Sequence, residues 1–186
     1  MLRSRSTLLA AAVRLVSERG TTAIPVTDLA EAANVSRQLV YLQFGDRDSL
    51  LLEAAVDLVR RELIPQVEDG AELEHAGALA RHFAQHRSFY RAMLIGSCAF
   101  AMTRELSSFL SSFNRRFVRE LFGELDQDAA QDLTAFLTGG AAAVINDWLI
   151  DGYDPLDPEE LAERLLRLAS IFGDSHRVRA AGGRNQ

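Results

Sequence analysis

Val26-Thr27-Asp28-Leu29-Ala30-Glu31-Ala32-Ala33-Asn34-Val35-Ser36-Arg37-Gln38-Leu39-Val40-Tyr41-Leu42-Gln43-Phe44 is the stretch that decides the fold. Its pattern predicts two short helices, over about residues 26–33 and 37–43, around the tight turn Asn34-Val35-Ser36. Asn tolerates the left-handed conformation such a turn needs. Ser36 is placed to cap the second helix by accepting from a backbone N–H. Leu29, Ala30, Ala33, Val35, Val40 and Phe44 fall at spacings that pack the helices together, with Ala30 small at the crossing. Arg37, Gln38, Leu39, Tyr41 and Gln43 are left facing outward. Arg pairs with guanine and Gln with adenine in the major groove, while an outward Tyr donates to a phosphate and fixes register. The stretch therefore has helix-turn-helix logic, although short capped amphipathic helices are also common in all-α proteins that bind no DNA.

Helical spacing extends in both directions. A first helix over about residues 6–19 buries Leu8, Leu9, Ala12, Val13, Leu15 and Val16 and ends at Gly20. Pro25 suits a helix start, where its missing N–H is not needed. Asp46 caps a helix that Pro65 is expected to close. Further helices are predicted over about 71–86, 87–95, 101–122 and 131–150. Asp151-Gly152-Tyr153-Asp154-Pro155 is a strong stop. Asp157-Pro158-Glu159-Glu160 then starts a last helix to about Phe172.

The predicted fold is all-α: an N-terminal three-helix domain with the helix-turn-helix (1–50), a larger helical domain (51–174), and a disordered tail (175–186). The chain has 186 residues, 48% of them hydrophobic, enough for a full core without staples. The single Cys98 excludes an intrachain disulfide framework. The most apolar run, 139–150, is too short to span a bilayer, so no membrane partner and a cytoplasmic location are expected. Net charge is −6, but residues 1–50 carry six Arg against five acids. Contact with DNA must therefore come from a few placed arginines of the N-terminal quarter.

Ser17-Glu18-Arg19-Gly20, the stretch from Val26 to Ser36, Val40-Tyr41-Leu42-Gln43-Phe44 and Asp46-Arg47-Asp48-Ser49-Leu50 together resemble the N-terminal domain of the TetR family, in order and without gaps over about residues 5–55. The resemblance implies a transcriptional regulator that binds double-stranded operator DNA as a homodimer and answers to a small effector. It puts Arg37, Gln38 and Leu39 at the base-facing start of the recognition helix, just after Ser36, and Tyr41 on a backbone-contacting tyrosine. Gln43 stands where the family often has a phosphate-binding histidine. Arg47 stands where a lysine touches phosphate, and Thr27 where the preceding helix meets the groove wall. The chain departs from the pattern at Pro25, which replaces a threonine cap, and at Gln38 and Leu39, where many members carry Gly and Thr. Arg3 and Arg5 fit a minor-groove arm or, more plainly, a solvated tail.

A palindromic operator requires a two-fold dimer. Leu133, Leu137, Gly140, Ala141 and Val144, with Leu161, Leu165, Leu168 and Phe172, form the stripes expected at that interface or in the intrachain core. Phe83, Tyr90, Met93, Phe100, Met102, Phe109, Phe113, Phe117 and Trp148 are candidates for the lining of an effector cavity. Such a lining suits an apolar or aromatic ligand, and each of these residues equally suits a plain core. His75, His82 and His86 share a narrow arc of one helix. His82 and His86 have zinc spacing, but a further ligand has to come from Cys98 or Glu72, so no metal and no cofactor are expected. No catalytic constellation or phosphate loop supports an enzyme. A ligand-independent DNA-binding protein is the closer alternative to a released repressor.

Overall fold

In the computed structural model, residues 2–67, 72–123 and 125–182 are described, and among them every regular element is helical. Helices α1 (Leu2–Arg19), α2 (Val26–Ala32) and α3 (Arg37–Phe44) form the head. α4 (Arg47–Leu58) leaves the head, a π-helical turn (Val59–Leu63) follows, and α5 (Ile64–Val67) completes the rod. The body comprises α6 (Glu72–Gln85), α7 (Arg87–Ile95), α8 (Ala99–Phe122), α9 (Gln127–Asp151) and α10 (Pro158–Gly182).

The head is held by the apolar stripe of α1. Leu8, Ala12 and Val16 are fully buried, against α4 residues Leu50, Leu51 and Ala54 that are equally inaccessible. Each buried Leu contributes about 1.5–3 kcal/mol relative to exposure. α1 also packs on α7, so head and body share one continuous core.

Pro65 does not end the helix that begins at Arg47. The residue before it, Ile64, donates its N–H five residues back to Val59 O, the π-helical spacing. The missing N–H and bulky ring of a proline disturb the turn ahead of it. Here the widened turn sits immediately before the ring, and helix continues to Val67.

In the body, α6 and α7 pack aromatic faces together. Phe83 and Phe89 meet the Tyr90 ring edge-on, with centroids 4.8 and 5.3 Å apart. α8 and α9 form the most extensive helix pair. α9 is long and apolar enough to cross a membrane by length and composition, but it packs against α7, α8 and α10. Its C-terminus is clasped by Arg87, which donates to Leu149 O (3.2 Å), Gly152 O (2.5 Å) and Asp154 Oδ1 (2.7 Å). Arg91 adds a bond to Ile150 O.

α10 runs to Gly182, well past the expected end at Phe172. The segment 175–182, expected to be disordered, contains no proline and includes Arg and Ala, good helix formers. Residues 183–186 lie outside the described residues.

Candidate functional site

The turn between α2 and α3 is built as the sequence requires. Asn34 adopts φ 53°, and Val35 N–H donates back to Ala30 O at 2.9 Å. Ser36 is extended and its Oγ accepts from Leu39 N–H at 3.2 Å. Gly45 (φ 82°) ends α3. Asp46 then caps α4 by accepting from Ser49 N–H at 2.7 Å, and that backbone hydrogen bond is the first cause holding its carboxyl below the usual range. Val40 and Phe44 are buried beneath α3, with Leu29, Ala30 and Ala33 of the α2 side.

The opposite side of α3 is open. Arg37, Gln38 and Tyr41 are exposed, and so is Leu42, at 75%. Residues 37, 38, 41 and 42 lie on one helical face. Leu42 was not among the expected contacts, although its place one turn after Gln38 is the signal that marks it. Leu39 and Gln43 are half-buried. Gln43 Oε1 is buried without a hydrogen-bond partner among the described residues. Thr27 is exposed on α2 beside this face. Asp28 on the same helix is paired with Arg19 at 2.7 Å, and that bond leads the causes lowering its carboxyl. Arg5 is no solvated tail: it pairs with Glu53 and stacks 4.7 Å from the centroid of Phe44.

Arg47 links the head to the body. Its Nε donates to Asp48 Oδ1 at 2.8 Å and its Nη2 to Ser97 Oγ at 3.2 Å. Ser97 N–H in turn donates to Thr22 Oγ1 at 3.2 Å, and Thr22 is buried just ahead of α2. Cys98 is buried at this joint, with Sγ 4.0 Å from Asp48 O; burial pushes its thiol up. It lies at this joint instead of completing a histidine site.

Between α6, α8, α9 and α10 lies a cavity of about 530 Å³. Its walls are mostly apolar, including Leu79, Phe109, Phe117, Leu137 and Val144, with His75, Ser112, Asn114 and Arg116 as the polar lining. Of the expected lining residues, Phe109 and Phe117 are here. Phe83, Tyr90, Met93 and Trp148 are instead core, because α7, which carries Tyr90 and Met93, packs against α6 and α9, which carry Phe83 and Trp148. Met102 and Phe109 line a smaller cavity of about 190 Å³ beside α4. Phe100 is 78% exposed, and the side chain of Phe113 lies outside the described residues.

The expected interface residues divide similarly. Leu161 is fully buried in the core, and Leu133 is half-buried. Leu137, Gly140, Ala141, Val144, Leu165 and Leu168 line the larger cavity, as does Phe136, so the cavity and the exposed strip of α9 and α10 share a rim. Phe136 (65% exposed), Leu168 and Ile171 remain an open apolar face. The side chain of Phe172 lies outside the described residues. Gly139 and Gly140 leave open space where a side chain would stand.

Three histidines were singled out in the sequence. His75 lines the cavity. His82 is buried with Nε2 2.8 Å from Tyr90 Oη, and His86 Nε2 sits 2.7 Å from Glu62 Oε2. Burial, then the neighbouring His86, pulls the His82 ring down to about 4, so it is neutral near pH 7. The side chain of Glu72 lies outside the described residues.

Residues 8–54 match the family described as bacterial regulatory proteins, tetR family, and residues 73–170 match its transcriptional regulator C-terminal region. The chain belongs to the TetR family. It is a TetR-family transcriptional regulator with a DNA-binding helix-turn-helix. Solved structures share the fold. The dihydroxyacetone kinase operon activator DhaS is 14% identical with a TM-score of 0.60, covering 94% of this chain and 98% of its own. A putative TetR-family transcriptional regulator from Rhodococcus sp. is 20% identical with a TM-score of 0.59, covering 93% and 100%. The TetR family repressor AlkX from Dietzia sp. strain DQ12-45-1b, implicated in biodegradation of n-alkanes, is 21% identical with a TM-score of 0.50, covering 93% and 95%. No curated protein matches the chain.

Proposed function

We propose that this TetR-family regulator is a homodimeric repressor that binds a short palindrome through α3 and releases it when an apolar effector enters the cavity between α6, α8, α9 and α10. The observation that carries the DNA half is the open face of Arg37, Gln38, Tyr41 and Leu42 on a helix whose cap and packing fix its direction. Arg37 and Gln38 read bases, Leu42 meets a thymine methyl, and Tyr41 donates to phosphate. Thr27, exposed on α2, and Arg47, at the start of α4, are the further backbone contacts of this reading.

The cavity supports the effector half. Its size falls within the roughly 300–1,000 Å³ of ligand pockets, and a mostly apolar wall with a few polar groups is their usual chemistry. An effector shifts the equilibrium only by binding the released state better than the DNA-bound one. The open strip of Phe136, Gly139, Gly140, Leu168 and Ile171 supports a second copy on α9 and α10.

Selection of bound fragments from random DNA tests the reading. A two-fold symmetric site, enriched by the wild type and lost on adding small apolar compounds, is the expected result. Enrichment of no palindrome overturns the repressor reading. Sequence-indifferent binding unaffected by every compound points to a ligand-independent DNA-binding protein. Among the neighbours, DhaS is an activator and AlkX a repressor, so a reporter driven from the selected site fixes the sign of regulation.

A further inference from the structure

We propose that Glu62, His82 and His86 form a binding site for a divalent first-row transition cation such as Zn²⁺, bridging the π-helical turn and α6. Each residue offers one ligand atom, and the three atoms lie within 4.8 Å of one another. His82 and His86 stand one helical turn apart on the same face. Glu62 comes from a different element, and the π-helical turn that carries it is the irregularity that relieves Pro65. Single π-turns inside α-helices often occur at functional sites. Two imidazoles and one carboxylate are an established zinc ligand set, which leaves a fourth position for water. With metal–ligand bonds of about 2.0–2.2 Å, tetrahedral donors stand roughly 3.4 Å apart. Small side-chain rotations therefore close the triad around an ion.

The surroundings suit such a site. The glutamate offsets charge in a part-buried position, where Glu62 is 34% and His86 17% exposed. Tyr90 Oη, buried and 2.8 Å from His82 Nε2, anchors one ligand ring from behind. Partners of this kind orient metal-binding histidines. Glu62 belongs to the helical rod that begins at Arg47, so a bound ion fastens that rod to α6.

The test uses the full, tag-free chain stripped by chelator and titrated with Co²⁺ or Zn²⁺ alone. Wild type is expected to bind one equivalent per chain, with the visible ligand-field band of four-coordinate Co²⁺. At 100-fold excess over Kd the melting temperature is expected to rise by roughly 5–11 °C. Glu62→Gln and His86→Gln, with folding checked by circular dichroism, should each weaken binding at least as much as Tyr90→Phe. Loss of the Tyr90 hydroxyl that holds the His82 ring is expected to cost roughly 10–100-fold. His176→Gln should leave binding unchanged. No saturable Co²⁺ binding by folded wild type, undiminished affinity in the Glu62 and His86 variants, or loss on changing His176 overturns the proposal.

Discussion

Replacing Gly96 by alanine tests the joint between head and body. A Cβ at this position would stand 2.2 Å from Thr22 Oγ1 and 2.8 Å from Ala92 O. The backbone there is extended, so the obstacle is contact and not conformation. Thr22 has to retreat by about 1 Å, at the overpacking cost of about 1–3 kcal/mol. That retreat also breaks the bond from Ser97 N–H to Thr22 Oγ1, worth about 1 kcal/mol at a buried acceptor. Together these give ~2–4 kcal/mol, a fall in Tm of roughly 4–16 °C for a chain of this size. Scanning calorimetry at fixed protein concentration measures it. In Thr22→Ala, part of the obstruction is already gone, so Gly96→Ala should cost about 1–2 kcal/mol less there than in wild type. Additive costs in that cycle, or a Gly96→Ala melt within a degree of wild type, would refute the reasoning.

The remaining predictions concern the DNA face, the clasp on α9 and acid stability. Tyr41→Phe should weaken binding to all sites about equally, whereas Gln38→Ala should relax preference at one base pair by ~1–3 kcal/mol; equal losses on every sequence would contradict the assigned roles. Leu42→Ala removes an exposed side chain, so its stability should change by no more than about 0.5 kcal/mol while discrimination at a thymine falls in the same binding assay. Arg87→Ala strips partners from two carbonyls and should cost about 2–4 kcal/mol in a denaturant titration. Asp154→Asn, at a side chain 86% exposed, should cost less than about 1 kcal/mol, and similar costs for the two would sink that account. His82 is held near 4 in the fold against 6.5 in the unfolded chain, so the unfolded state gains protons first as pH falls. Stability from this group is complete above about pH 7 and falls by about 2 kcal/mol between pH 7.5 and pH 5; a His82→Asn chain with the same pH slope would refute the assignment.

The head was legible because its signals are local. Asn34 and Gly45 take the positive φ that their turns require, and Ser36 and Asp46 cap the helices that follow with their own side chains. The body was legible as helices but not as surfaces. Phe83, Tyr90 and Phe109 have the same chemistry in the sequence, yet two are core and one lines a cavity, because helix rotation is set by neighbours far away in the chain. The π-helical turn left no pattern to read. Pro65 looked like a stop, since only tertiary packing makes continuation past it worthwhile. Glu62 was missed beside His86 for the same reason: 24 residues separate them, and the turn that closes the gap is irregular.

The clasp of Arg87 and the joint at Gly96 stand at the two ends of α7, a helix of nine residues. At 1.5 Å per residue α7 is about 13 Å long. Its near end is fastened to the terminus of α9, a wall of the cavity, and its far end leans on Thr22 beneath the head. By the geometry of a lever, a tilt of about 5° at the Arg87 pivot sweeps the Ser97 end by roughly 1 Å. That sweep is as large as the displacement that breaks the 3.2 Å bond from Ser97 N–H to Thr22. Nine residues of α7 thus stand as the arm between the terminus of α9 and the head, with a hydrogen-bonded contact at each end.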